Sequence, residues 1–430
     1  MENSSVPLSD LVLAIAGTID LISEQIAGHH TRVAYIASEI AAGLGMSETE
    51  RTDIAQAGVL HDIGALSLSE RLGIMEFEAK NLEAHQVAGY RLLSMFSRFS
   101  RVAEIVLHHH VSFESQRSRS LPLGSHILNV ADRVAVLMPQ RPNILAAVPG
   151  INERISAGAG RYFMPEVVGT FMKLSTRESF WLDAISPSHL YLKNKLEIGQ
   201  DALNSTELLE FARLISKIID FKSRFTAVHS CGVAASAEAL SGFSGFGGED
   251  RRAMKIAGYL HDIGKLAVPS EIIDKPQSLD FAEYGNMRRH TFYTHRVLSR
   301  VSGFGTIGEW AALHHERLDG NGYPFHIDRS GLSLGSRIMA VADVFTALTE
   351  DRPYRAGMDE KEALGILHDM VGRNALDGDV VNILEAHFDE INDIRKDEQS
   401  RSSREYANFR GDFDSAVSAI RGLTASYYSI

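Results

Sequence analysis

Histidines and aspartates recur along this chain in an order that suits bound metal. His229, His261 and Asp262 are followed by His290, by the adjacent pair His314 and His315, and by Asp343 inside an apolar stretch. Imidazole and carboxylate are the donors that first-row transition ions take, and such a set exceeds what one tetrahedral ion needs. A two-metal cluster is the economical reading. Two neighbouring divalent ions generate a nucleophile from water at neutral pH and offset charge on a phosphodiester. Asp262, with two oxygens, is the natural bridge; His229, His261 and Asp343 then fall to one ion, and His290, His314 and His315 to the other. Lys265, one helical turn after His261, brings an ammonium towards the same point.

The set occurs twice. His29, His61 and Asp62, in HHTRVA and GVLHDIG, match HSCGVA and GYLHDIG at an offset of 200 residues, and His85, His108, His109 and Asp132 continue the series. A lone histidine on an apolar helix is more often a core residue, but a set repeated in order points to metal. The likeness runs past the ligands: Gly160, Arg161, Val167 and Val168 correspond to Gly372, Arg373, Val380 and Val381. The chain is an internal duplication, with a second candidate metal site in its first half.

The elements that must position these residues are helices. Leu208, Leu209, Phe211, Ala212, Leu214, Ile215, Ile218 and Ile219 follow the spacing of one apolar helical face, and the same period dominates both halves. The expectation is an all-α fold with little or no strand, the stretch GNGYPFHIDRSGLSLG forming a short hairpin or ordered loop. The boundaries expected are a first domain over 1–190, a connecting helix or linker over 191–205, a second domain over 206–395 and a polar C-terminal tail or helix over 396–430. Ser186, Pro187 and Ser188 break the helical pattern at the end of the first repeat. The run KDEQSRSSRE reads as a solvated face with no chemistry.

Composition narrows the function. A net charge of -12 argues against binding DNA or RNA polymers, which want a basic face. The single Cys231 excludes an intramolecular disulfide and fits a reducing compartment; two positions from His229 on a helix, it reads as a buried, inert thiol. The apolar run LVLAIAG is too short to span a bilayer and no basic region precedes it, so a cytoplasmic protein without a membrane anchor is expected.

HDIGK, followed by HHERLDGNGYP from His314 to Pro324 and by VADVFTALTEDRPYR from Val341 to Arg355, resembles the HD-GYP family of bacterial signalling phosphodiesterases over about residues 206 to 390. The resemblance implies two tandem HD-type helical domains. It also implies hydrolysis of a cyclic dinucleotide, cyclic di-GMP or 3′,3′-cyclic GMP-AMP, to a linear product by a hydroxide bridging two metals, iron or manganese. Asp262 and Lys265 would be catalytic. Lys265, Arg317, Asp319, Gly322, Tyr323, Arg352, Tyr354 and Arg355 would meet substrate, and the loop Asp319 to Pro324 would form the rim of the site and engage partner signalling proteins.

Two departures matter. Phe225 stands where three-metal members carry a glutamate, which predicts two metals, and Thr346 replaces the usual aspartate after Asp343. The first half keeps its ligand types but has Ala65 in place of Lys265, HVSFESQRSRSLP in place of the loop, and Arg141-Pro142-Asn143 where the second has Arg352-Pro353-Tyr354. A metal-capable domain with a regulatory or structural task follows, with a second active site as the sharper alternative. Competing readings of the whole are an HD-type nucleotide phosphohydrolase and a sensor that binds a cyclic dinucleotide without cutting it.

Overall fold

The computed structural model describes residues 6–19, 21, 27–65, 82–115, 120–138, 143–187, 192–193, 202–221, 228–275, 277–351 and 355–421. Phe225, Arg141, Pro142, Ser188, Arg352 and Tyr354 lie outside the described residues. Helix dominates, and the strands are Val6–Pro7 and Ala202–Leu203, paired in one two-stranded sheet. The stretch from Gly320 to Ser333 is an ordered loop of turns and bends, and Leu334 and Gly335 already open a helix. Among the described residues no helix is long and apolar enough to cross a membrane.

The chain divides into two compact units, one of Met1–Val6 with Ala202–Phe409, the other of Pro7–Asp201 with Arg410–Ile430. In the unit built on Ala202–Phe409, Ser205–Phe221 lays a buried stripe of Phe211, Ala212, Leu214, Ile215, Ile218 and Ile219 against Gly248–Leu260. Each buried branched or aromatic side chain of this kind contributes about 1.5–3 kcal/mol. His229–Phe243 packs between Gly248–Leu260 and Leu334–Thr349. The first of these crossings is close because Gly258 has no side chain: a Cβ there would lie 2.5 Å from Ala234 Cα. A second missing Cβ, at Gly264, would meet the His290 carbonyl oxygen at 1.9 Å. The two glycines of GYLHDIG thus let two ligand-bearing helices approach the His-Asp pair.

The unit built on Pro7–Asp201 repeats this frame. His29–Gly43 packs against Glu48–Leu60 and Leu123–Leu137, and a Cβ at Gly58 would lie 2.6 Å from Ala34 Cα. Asp53 and Arg101 form an ion pair at 3.7 Å at its surface. Its last repeated helix, Glu178–Ile185, ends beside the Ser186-Pro187 break.

The C-terminal segment departs from expectation. The boundary anticipated at residue 395 lies inside a continuous helix, Phe388–Gly411, which buries Phe388, Ile391, Arg395, Gln399 and Ser402. Those positions recur every three or four residues, so this is a packed helical stripe in which polar residues replace apolar ones. Lys217 hydrogen-bonds Ser402, and Arg213 pairs with Glu405, from the facing helix. The run KDEQSRSSRE is therefore one face solvated and one face core. A further helix, Phe413–Arg421, belongs to the other unit, where Val417 and Ile420 bury against Val87.

Candidate metal centre

The His-Asp pair of the second half sits where a helix ends. Gly248–Leu260 stops at His261, and a tight 3-10 turn, Ile263–Ala267, carries the chain on, so His261 and Asp262 project from the end of the helix into the core. His229 opens its own helix. His290 lies in the third turn of Phe281–Leu298, a helix started by a reciprocal capping box between Asp280 and Glu283. His314 and His315 follow the end of Gly305–Ala312, and Asp343 lies within Leu334–Thr349.

These elements bring the donors into two groups, His229 with His261 and Asp343, and His290 with His314 and His315, within which ligand atoms lie inside 4.8 Å of one another. Asp262 stands between them, its Oδ2 3.2 Å from His261 Nε2 and its Oδ1 3.4 Å from His290 Nε2. Asp343 does the same on the other side, with Oδ1 3.2 Å from His229 Nε2 and Oδ2 3.9 Å from His315 Nδ1.

The chemistry of this donor set fits divalent cations. His261, His290 and His314 each donate Nδ1–H to a carbonyl, of Gly258, Met287 and Ala311, at 2.7 Å. A carbonyl only accepts, so Nδ1 carries a proton in each ring and Nε2 is the nitrogen that faces the cluster. His290 Nε2 and His314 Nε2 then face each other at 3.4 Å, an arrangement that a cation between them satisfies. Asp262 Oδ1 is buried with no hydrogen-bond partner, as a metal-facing oxygen would be. Burial pushes the His290 imidazole down to about 3 and that of His314 well below its usual range, which keeps both in the ligating form. Burial opposes ionisation of Asp262, but His261 and Lys265 outweigh it and hold the carboxyl well below the usual range. Lys265 hydrogen-bonds Asp262 Oδ2, and that carboxylate overcomes the effect of burial to keep the ammonium charged.

Sequence reasoning missed Glu350. Its buried carboxylate lies 3.1 Å from His229 Nδ1, and burial notwithstanding, Glu350 and Asp343 raise the His229 pKa to about 10. Gln399 of the C-terminal helix donates to Glu350 at 3.2 Å and to the Val228 carbonyl at 3.2 Å, and Arg395 in turn holds Gln399. The carboxylate thereby fixes ring orientation and proton position on a ligand histidine. Thr346, at the place of the expected aspartate, donates to Ser236 at 3.3 Å. Cys231 is buried, donates to the Val228 carbonyl, and burial pushes its thiol up to about 12.

Of the other expected substrate residues, Tyr323 has its ring 4.9 Å from that of His315. Arg317 and Asp319 are paired to each other through two hydrogen bonds of 3.1 and 2.6 Å, which fold the loop. Gly322 is buried where a Cβ would meet the Arg317 nitrogen at 2.4 Å. Arg355 donates to the Ala347 carbonyl at 2.7 Å.

The first half reproduces the geometry with one correction. The third group is His85, His109 and His110, beside His29, His61 and Asp62. His108, expected as a ligand, is outside it, and its charge bears on His126. His109 Nδ1 bonds the Val106 carbonyl and its Nε2 lies 3.4 Å from His85 Nε2, as in His314; His110 Nε2 lies 3.9 Å from Asp132 Oδ2, as His315 does from Asp343. The triple histidine hides the register, because the insertion that separates the halves falls before it. Asp132 approaches His29 at 3.3 Å but is also gripped by Arg133, whose Nε and Nη2 donate to Oδ2 at 3.0 and 2.6 Å.

Both halves match models of the HD domain, over residues 26–137 and 213–380. The 3′3′-cGAMP-specific phosphodiesterase 1 of Vibrio cholerae is 30% identical over 88% of this chain and 91% of its own length. Phosphodiesterase 3 of that organism is 27% identical, over 86% and 92%. A cyclic di-GMP phosphodiesterase of Pseudomonas aeruginosa is 37% identical over 37% of this chain and 39% of its own length. The crystal structure of the Vibrio cholerae cyclic GMP-AMP phosphodiesterase V-cGAP3 superposes with a TM-score of 0.62 at 25% identity, covering 89% of this chain and 97% of that one. With the His-Asp pairs, the loop from Asp319 to Pro324 and this full-length likeness together, the chain belongs to the HD-GYP family of cyclic dinucleotide phosphodiesterases.

Proposed function

We propose that this enzyme hydrolyses 3′,3′-cyclic GMP-AMP or cyclic di-GMP to the linear dinucleotide at the second-half cluster, with iron or manganese as the metal. The observation that carries the reading is Asp262, a buried carboxylate standing between two groups of metal-capable side chains with one oxygen that accepts no hydrogen bond. His229, His261 and Asp343 would hold one ion and His290, His314 and His315 the other, with Asp262 shared. When bound, such a pair lowers the pKa of water and neutralises phosphodiester charge.

The chain's own residues supply the rest. Lys265, kept charged by Asp262, offers an ammonium to a non-bridging phosphate oxygen. Glu350 accepts a hydrogen bond from His229 Nδ1, which fixes the ring so that Nε2 is the atom that would hold the ion. Tyr323, whose ring lies beside that of His315, and Arg355 would meet substrate, and the loop carrying Tyr323 would offer a docking edge for partner proteins. Cytoplasmic signalling fits this substrate.

For the first half we propose a regulatory or structural HD domain over residues 1–190, able to hold metal but not to hydrolyse. Ala65 removes the ammonium, and the guanidinium of Arg133, 1% exposed, takes up an oxygen of Asp132 that the second half leaves to its cluster. The test is hydrolysis of both dinucleotides by manganese- or iron-loaded protein beside Asp262→Ala. Cleavage by the wild type alone is expected; tight binding with no cleavage under either metal would make the chain a sensor.

A further inference from the structure

On the helix Phe281–Leu298, residues one turn apart on its outer face are aromatic or cationic: Tyr284 and Arg288 precede the metal-group residue His290, and Phe292 follows it. The Arg288 guanidinium carbon lies 4.7 Å from the centre of the Tyr323 ring and 5.8 Å from that of Tyr284. The Tyr323 ring in turn lies 4.9 Å from that of His315, tilted by 41°. An unbroken line of side chains therefore runs from the metal cluster through Tyr323 and Arg288 to Tyr284, which is 48% exposed. None of these contacts uses a carboxylate. Among the described residues Arg288 has no ion pair, although neighbouring Arg289 bonds the Tyr293 hydroxyl and Lys275 pairs with Glu283 on the same helix.

A half-buried guanidinium matched only by ring faces keeps its N–H donors for another partner. That partner lies close to the cluster, since only two contacts, of 4.9 and 4.7 Å, separate the His315 ring from the Arg288 guanidinium. We infer that Tyr284 and Arg288 form the base-reading platform of the site, with one purine of the cyclic dinucleotide stacked on Tyr284 and its Hoogsteen edge read by Arg288. The inference rests on the proposed cyclic dinucleotide substrate. Guanine presents two acceptors, O6 and N7, to which one guanidinium can donate twice; adenine presents N7 beside an amino donor, which leaves one N–H facing another donor. Arg288 thus favours guanine at this position, while Tyr284 serves either base because stacking is indifferent to the edge. Tyr284 and Arg288 are specificity residues. They hold the base and touch no reacting atom.

The experiment compares wild type, Arg288→Met and Tyr284→Ala at matched metal content, using cyclic di-GMP, 3′,3′-cyclic GMP-AMP and cyclic di-AMP, with both kcat/KM and calorimetric Kd measured. Bis(p-nitrophenyl) phosphate, a diester with no base, reports on the metals alone. Arg288→Met is expected to reduce the preference for guanine-containing substrates over cyclic di-AMP by about 5- to 150-fold, in kcat/KM and in Kd, with the base-free diester unaffected. Tyr284→Ala should weaken all three dinucleotides together. Dinucleotide cleavage with an unaltered guanine preference in Arg288→Met overturns the platform and leaves the phosphodiesterase reading intact. A guanine preference seen in binding and lost in Arg288→Met, with no cleavage by any protein, supports the platform while the phosphodiesterase reading falls. Failure of the wild type to bind any of the three overturns both.

Discussion

Single residues carry much of the chemistry, and Glu350 shows what pattern reading overlooks. The ligand histidines announce themselves by type and repetition, but a glutamate after a helix has many ordinary explanations, and its place beside His229 Nδ1 depends on how Leu334–Thr349 ends. Replacing it by glutamine keeps the shape and removes the charge that orients the ring. Glu350→Gln is expected to weaken metal retention by about 10- to 100-fold, read as metal content after dialysis against a graded chelator, with activity recovered in excess manganese. His108 is the complementary lesson. His85 and His290 lie 205 positions apart, and applying that offset to His314 and His315 points to His109 and His110; counting the first two members of HHH does not. His110→Ala should remove metal from the first unit while His108→Ala leaves it, as measured by elemental analysis in an Asp262→Ala background.

At the scale of elements, the apolar helices were legible because their period is regular, and the GxLHDIG motif explained itself once its glycines were seen to sit under neighbouring backbone. Gly258→Ala would drive a methyl against Ala234 Cα, and the contact is with backbone, which yields little. A loss of about 1–3 kcal/mol in chemical denaturation is expected, with a similar loss for Gly58→Ala in the other unit. The C-terminal helix was not legible. Arg395, Gln399 and Ser402 occupy its buried stripe, and a pattern that scores apolar residues reads such a helix as solvated. Their burial is satisfied by partners far away in sequence, Thr349, Glu350 and Lys217, which no local signal reveals.

In the whole molecule, duplication set the plan and divergence set the roles. Two copies of one ligand frame were visible in the sequence, together with the loss of Lys265 and of the Asp319 to Pro324 loop from the first copy. The buried Arg133 was not singled out, because a charged residue beside an aspartate reads as surface until it is found 1% exposed. The chain path adds something that neither copy shows alone. Val417 and Ile420, which cover Val87 in the first unit, are made after every residue of the second. During synthesis the first unit emerges early yet stays without that cover until the ribosome has completed the catalytic half. A message cut short anywhere in the second half therefore yields a first unit with an open apolar patch, and so a product marked for quality control instead of a free regulatory fragment.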